Sequence, residues 1–299
     1  MTLHDQMPTV GIMAAGGPDP VENFKVGMRD CGLIEGQTVR YELRAAHGDA
    51  QRLFGFAGEL VRASVDLIAA VGAVTAHAAR KATQDVPIVY AVVVDPVSDG
   101  LAGPLGRPLG NMTGITTYDP DQARMHVALL RSVNPDLARI AFLADSSVSD
   151  CLVQANTLAT QEAGLRPQVL RVAGPDPDLV GAFAALQHEK ADALVVLEHP
   201  VNGANAARIA ELAKALRLPT VLARAQADAG GLFSYGTSLR AAAYRMARYA
   251  TRILRGTELS GLPVQTFHRP ELVVNLRTAR SLGLTLPPDI VSRAVQVIE

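Results

Sequence analysis

The chain has 299 residues, of which 48% are hydrophobic and 19% charged, so it can bury the cores of roughly two domains and is not disordered. Lys plus Arg is 28 and Asp plus Glu is 29, a formal net charge of -1, which removes any electrostatic basis for nucleic acid or an anionic membrane as partner; 4% aromatics with no Trp offers no base-stacking platform. Two cysteines, Cys31 and Cys151, exclude a disulfide scaffold and a four-cysteine metal site, and both read as small core residues in different halves of the chain.

Residues 1–8 are polar and show no secretory signal, and the longest apolar runs, 67–74 and 86–94, fall short of the ~18 residues of a membrane span. A strand-like run follows at 9–13. Asp19-Pro20 predicts a capped helix with Val21, Phe24, Met28 and Cys31 inward and Gly32 as its stop. After a strand at 38–43, Asp49 is expected to open a helix with Leu53, Phe56, Leu60 and Val61 on one stripe. Strands at 66–71, 87–94 and 112–116 complete a first set of five. Asp119-Pro120 repeats the cap-plus-proline device ahead of Val127 and Leu130. A second set of strands lies at 138–143, 168–172, 193–197, 219–223 and 231–235. Between them run the helical stripes Leu152/Ala155/Leu158/Ala159, Leu179/Phe183/Leu186 and Ile209/Leu212/Leu216. The tail reads as a long helix at 239–254, a Gly/Pro loop at 256–263, a strand at 272–275 and a final helix ending at Glu299.

Continuous apolar strands alternating with amphipathic helices argue βαβ units and parallel sheets covered on both faces. The fold class is therefore α/β, with two doubly wound, Rossmann-like parallel-sheet lobes. The tail must be shared between them. The expected division is residues 1–118 plus about 238–270 for the N-terminal lobe, and 119–237 plus about 271–299 for the C-terminal lobe, with a ligand cleft between them.

In such sheets ligands sit beyond the carboxyl ends of the strands, beside helix N-termini whose free N–H groups favour anions. The loops at 14–18, 72–76, 94–98, 145–149, 199–205 and 224–228 are the ones to inspect. They supply the candidate ligand-binding residues Ala15, Gly16, Gly72, Thr75, Asp95, Ser146, Ser147, His199 and Arg224. Asp95 follows an apolar strand directly and faces either a ligand or its own turn. Arg224 either pairs with a ligand carboxylate or stays solvated. Thr75, Ser146 and Ser147 are helix-start donors or ordinary caps. No phosphate loop, nucleophile elbow or metal-ligand spacing of His is present, so no catalytic residue, cofactor or metal is expected. Gly103, Gly106 and Gly110 read as a turn. His77, His126 and His188 read as surface or satisfied histidines.

Several long segments carry a resemblance. They are FKVGMRDCGLIEGQTVRYELR, GDAQRLFGFAGELVRASVDLIAAVG, ARKATQDVPIVYAVVVDPVSDGLA and GNMTGIT in the first half, and SYG, ILRG, ELVVNLRTARSLGLTLP and the terminal VIE beyond residue 230. From Val10 to Glu299 the chain resembles the ABC-transporter substrate-binding proteins related to the tryptophan-binding TrpX lipoproteins. The resemblance implies a type I periplasmic-binding-protein architecture, a hinge, and closure over a small polar or amphipathic ligand such as an amino acid or carboxylate. It implies a periplasmic or membrane-tethered extracytoplasmic location, a monomer, and an ABC permease as partner. On this chain the family's ligand loops fall at Gly72-Ala73-Val74-Thr75, Asp95, Ser146-Ser147 and around His199. Family members commonly carry a Gly-Thr/Ser-Pro-type sequence where this chain has Gly72-Ala73-Val74-Thr75, so one hydroxyl is missing at position 73. For an amino acid, Asp95 would take the ammonium, and the N–H groups near Thr75 or Ser146, or Arg224, the carboxylate. Tyr90, Tyr118, Phe142 and Tyr235 are stacking partners or, by default, core or hinge residues. The alternatives are a ligand sensor of the same fold acting through a protein partner and, less favoured, a two-lobed enzyme.

Overall fold

A computed structural model describes residues 7–16, 18–117, 119–146, 148–174 and 176–299, the side chains of Asp19 and Pro200 excepted. Tyr118 and Ser147, both singled out in the sequence, lie outside the described residues. The elements in chain order are β1 (Thr9–Ala14), α1 (Asp19–Asp30), β2 (Arg40–Ala45), α2 (Arg52–Arg62), β3 (Leu67–Val71), α3 (Ala73–Ala82), β4 (Ile88–Val93) and β5 (Met112–Thr116). There follow α4 (Gln122–Val133), β6 (Arg139–Asp145), α5 (Asp150–Glu162), β7 (Arg166–Val172), α6 (Leu179–His188), β8 (Ala193–Val196), α7 (Pro200–Ala204), α8 (Ala206–Ala215), β9 (Thr220–Ala223) and β10 (Phe233–Thr237). The last are α9 (Leu239–Leu254), β11 (Gln265–Thr266), β12 (Pro270–Asn275), α10 (Leu276–Leu282), α11 (Pro288–Arg293) and β13 (Gln296–Ile298). None of the described helices is long and apolar enough to cross a membrane.

The chain divides into two compact units, Met1–Tyr118 with Leu239–His268, and Asp119–Ser238 with Arg269–Glu299. In the first, a six-stranded sheet runs β11-β5-β4-β3-β1-β2, with every pairing parallel. Side chains alternate across it. Val10, Ile12, Leu67, Ala69 and Val89 join Phe24 and Met28 of α1 and Met246 and Ala250 of α9 in one core. Met13, Ile68, Ala70, Ile88 and Tyr90 join Leu53 and Leu60 of α2 and Ala79 of α3 in the other. The period of two fixes the register, because a slip of one residue would exchange the two cores.

The second unit repeats the plan with a seven-stranded sheet, β13-β12-β10-β9-β8-β6-β7. Ile140, Phe142, Val195, Phe233 and Val274 pack with α4 residues Val127 and Leu130 on one face. On the other, Ala141, Leu143, Leu194 and Val196 meet Leu179, Phe183 and Ile209. The pairing of β10 with β12 is antiparallel, the departure from an otherwise parallel scheme. The chain reaches β12 through segments of the first unit, so no crossover within this unit obliges the strand to run parallel.

Several expectations from the sequence need correction. The tail does not end in a helix. Gly283, at φ 72, stops α10, Pro287 and Pro288 start the short α11, and the last residues pair with β12 as β13. Asp49 and Asp119 do not cap their helices, because the first accepts from the Gln51 N–H and the second from the Asp121 N–H in turns that precede α2 and α4. The helix α1 begins at Asp19 with Pro18 in the capping position. On α5 Leu158 is 56% exposed, and the inward face is Val153, Asn156, Ala159 and Thr160. Nor are the cysteines core residues, since Cys31 is only half-buried and Cys151 is exposed.

The polar inward face of α5 has its partner on α4. The buried His126 Nδ1 lies 3.1 Å from Asn156 Oδ1, while Asn156 Nδ2 donates to Leu152 O at 2.9 Å, so the ring donates to the amide oxygen. Tyr235 sits edge-on to the imidazole with centroids 6.1 Å apart. Burial lowers the His126 pKa to about 4, against the weaker opposing effects of Asn156 and Asp119. In unfolded chain this histidine titrates near 6.5, so between that pH and about 4 the unfolded state binds the proton that the folded state refuses. This contribution to stability is complete above pH 6.5 and is lost as pH falls.

Two measurements check this packing. Urea unfolding of Asn156→Ala should show a loss of about 1–3 kcal/mol from the orphaned imidazole N–H, and His126→Gln should lose less stability than the parent between pH 6.5 and about 4. In the α1–α9 contact, a Cβ on Gly27 would stand 2.6 Å from Tyr244 O and 2.8 Å from Ala247 Cβ. Gly27→Val should therefore cost about 1–3 kcal/mol by overpacking, read from the same unfolding curves.

Candidate functional site

In the first unit the predicted residues gather at the carboxyl ends of β1, β3 and β4, adjacent strands of the sheet. Ala15 is buried, and its carbonyl receives the Gly48 N–H at 2.7 Å. Gly16 is half-buried, and a Cβ there would meet nothing within 4 Å, so backbone is approachable at this point. Gly72 has φ 100 and ψ 154, a conformation that L side chains rarely adopt, and from it α3 starts without a side-chain cap. The first-turn N–H groups of Ala73, Val74 and Thr75 have no intrahelical acceptor by the geometry of a helix start. Thr75 is fully buried and its Oγ1 has no hydrogen-bond partner. Its nearest approach to Gly72 is 3.9 Å from where a Cβ would stand, which puts the hydroxyl at this same helix start.

Beside it, β4 is distorted. The pairing with β5 shifts register between Tyr90 and Val93, and Val92 sits at φ 64, unfavourable for a β-branched residue. The strand then delivers Asp95, whose Oδ1 accepts from the Val97 and Ser98 N–H groups at 3.2 and 3.0 Å and whose Oδ2 accepts from Ser98 Oγ at 2.7 Å. Its carboxylate is thus engaged in its own turn. Nearby Asp99 has its pKa raised to about 6, by burial first and by the charge of Asp95 second.

The second unit brings Ser146, His199 and Arg224 to the carboxyl ends of β6, β8 and β9, again neighbours in the sheet. Ser146 is exposed and its N–H is taken by Val172 O at 2.8 Å. Arg224 Nε meets Glu271 Oε2 at 2.7 Å. His199 Nδ1 accepts from the Val201 N–H at 3.4 Å and lies 3.5 Å from the buried Asp145 Oδ1. Burial lowers the His199 pKa more than Asp145 raises it, so the ring is neutral at neutral pH.

Four residues at this edge were not singled out by the sequence. Asn202 is fully buried, and its Nδ2 donates to Leu143 O at 3.3 Å and Leu197 O at 2.8 Å, bridging β6 to the end of β8. Its Oδ1 has no partner, and neither have Glu198 Oε1, Gln226 Oε1 and Thr237 Oγ1, all closed off from solvent. Gln226 Nε2 would lie 3.5 Å from a Cβ on Gly203, so its amide lies against α7. Burial alone raises the Glu198 pKa to about 7. A carboxylate directly after an apolar strand was the signal that pointed to Asp95, and the Leu197-Glu198 junction carries the same one. Among the possible stacking aromatics, Tyr90 and Phe142 are core residues and Tyr235 packs on His126. No cluster of metal ligands occurs among the described residues.

The edges of the two sheets thus carry small residues, a helix start without a side-chain cap, and side-chain oxygens without partners. A family model described as ABC transporter substrate binding protein matches residues 18–298. The tyrosine-binding protein of Clostridioides difficile (strain R20291) is 24% identical over 272 residues, 88% of this chain and 76% of the relative. Two solved structures superpose closely. A conserved domain protein from Vibrio cholerae has a TM-score of 0.91 at 23% identity, covering 98% of this chain and all of that one. The ABC domain from Streptococcus pneumonia in complex with L-Trp has a TM-score of 0.90 at 23% identity, with the same coverage. The α/β architecture is that of the type I periplasmic binding proteins, and the protein binds substrates without being an enzyme. The chain belongs to the family of ABC transporter substrate-binding proteins.

Proposed function

We propose that the protein captures a small zwitterionic solute, an amino acid by class, and presents it to the permease of an ABC importer outside the cytoplasm. The observation that carries this reading is the division of polarity between the two rims. The start of α3 supplies N–H donors with the Thr75 hydroxyl among them, suited to a carboxylate. The rim of the second unit supplies unpartnered acceptor oxygens at Glu198, Asn202 and Gln226, suited to an ammonium. An amino acid satisfies both sets, and ligand contacts made by both units stabilise a closed state by hinge motion. Two relatives, one a tyrosine-binding protein and one solved in complex with L-Trp, favour an aromatic amino acid. The monomer is the unit of binding in this reading.

Titration calorimetry with L-tyrosine, L-tryptophan, L-leucine and benzoate should give heat of binding for an amino acid and none for benzoate. Small-angle scattering should show a smaller radius of gyration with that ligand bound. Absence of binding by every amino acid, including any recovered by mass spectrometry from denatured protein, overturns the reading. Thr75→Val should weaken the amino acid about 10–100-fold, the worth of a hydrogen bond to a charged group, and leave thermal stability unchanged or raised because the removed hydroxyl has no partner.

A further inference from the structure

The C-terminal rim of the second unit holds a carboxyl group in an unusual setting. Glu198 is the first residue beyond the apolar run of β8, and its Oε1 is closed off from solvent with no donor. Asn202 in α7, whose Nδ2 donates to the carbonyl of Leu197, the residue before Glu198, keeps a buried and unpartnered Oδ1. Gln226, in the 3₁₀ turn after β9, adds a third oxygen beside α7. A buried acceptor without a donor costs stability, and three on adjacent elements are hard to account for by packing. They match a group with several N–H donors and a positive charge.

We propose that Glu198 is a proton-linked anchor: where its carboxyl is protonated in the free protein, it releases that proton to solvent when a primary ammonium docks on it together with Asn202 and Gln226. This deepens the amino-acid reading and rests on it. Burial holds the free carboxyl near pH 7, and a cation beside it would favour ionisation. The other ionisable groups of this edge are placed differently. Arg224 is paired with Glu271, and His199, beside Asp145, is held neutral by burial. Asp228 lies in the same 3₁₀ turn as Gln226 and is exposed.

The test uses the full chain, with L-tryptophan and L-tyrosine as probes and their des-amino analogues, indole-3-propionate and 3-(4-hydroxyphenyl)propionate, as controls. Calorimetry in phosphate and in Tris, buffers of different ionisation enthalpy, reads protons released. The parent should release close to one proton per amino acid at pH 6 and almost none at pH 8.5, and should bind about tenfold more weakly at pH 6 than at pH 8. Glu198→Gln should abolish both effects and weaken the amino acids at pH 8 at least tenfold, with little change for the des-amino analogues. A ligand-free readout stands beside this. A carboxyl raised from 4.5 to about 7 binds more protons folded than unfolded, so parent stability falls as pH rises through that window. Glu198→Gln should not show that slope. Amino acids that bind without proton release, equally well in the variant, overturn the anchor and leave the function standing. Equal pH dependence of stability in the two proteins overturns the neutral carboxyl. If no probe binds the parent, both proposals fall.

Discussion

Both units depend on one constraint, the burial of a parallel sheet on its two faces. Parallel strands need crossovers, and the crossovers are helices that cover the faces. The same connection sends the chain from each strand's carboxyl end into a helix start. Val10 and Ile12 on one face and Met13 on the other are therefore tied to what happens after Ala14. Side chains within the strand must be apolar on both sides. The first residue past the sheet is the first that is released from that demand. Gly72 and Arg224 are the first residues past β3 and β9, and Asp95 and Glu198 the second past β4 and β8, so charged residues and glycine collect along one edge of each sheet.

The two edges use this position differently, and the cause is local. The helix α3 has ten residues and starts from a glycine, so its first N–H groups point outward with nothing to cap them. The corresponding step after β8 gives only the five-residue α7, with Pro200 in its first turn. Proline brings no N–H, and the Val201 N–H is taken by His199 Nδ1. Donors are thus removed from this rim, while Asn202 spends its own N–H donors on Leu143 and Leu197 and keeps an oxygen. The helix start after β3 thus keeps donors where the one after β8 keeps acceptors, although the sheet plan is shared.

This explains what could be read from the sequence. Strands appeared as apolar runs because both faces are buried, and their ends located the loops that matter. Helix starts were harder. Asp49 and Asp119 are cap-forming residues in isolation, yet each completes a turn just before its helix, a choice set by how the preceding chain leaves the sheet. Leu158 was misplaced because α5 turns the polar Asn156 and Thr160 inward, which no hydrophobic pattern can announce. The last strand was hidden for a different reason. Val295 and Val297 are 61% and 37% exposed, so β13 is defined by pairing with β12 and hardly at all by burial. Glu198 and Gln226 were passed over as single polar residues, since their significance lies in what surrounds them.

Two buried ionisable groups in the second unit show how surroundings separate architecture from function. His126 is buried, Glu198 is half-buried with its Oε1 closed off from solvent, and each is driven toward its neutral form. The imidazole has an acceptor in Asn156 and an aromatic edge in Tyr235, so its burial is compensated within the fold. Glu198 Oε1 has no such partner. Their effects on stability run in opposite directions, the histidine favouring the folded state above its unfolded pKa and the carboxyl below its folded one. A group that stabilises through contacts already made is part of the scaffold. A group that costs stability and keeps an unmet oxygen is what the proposed ammonium contact would complete, and Glu198 is of that kind.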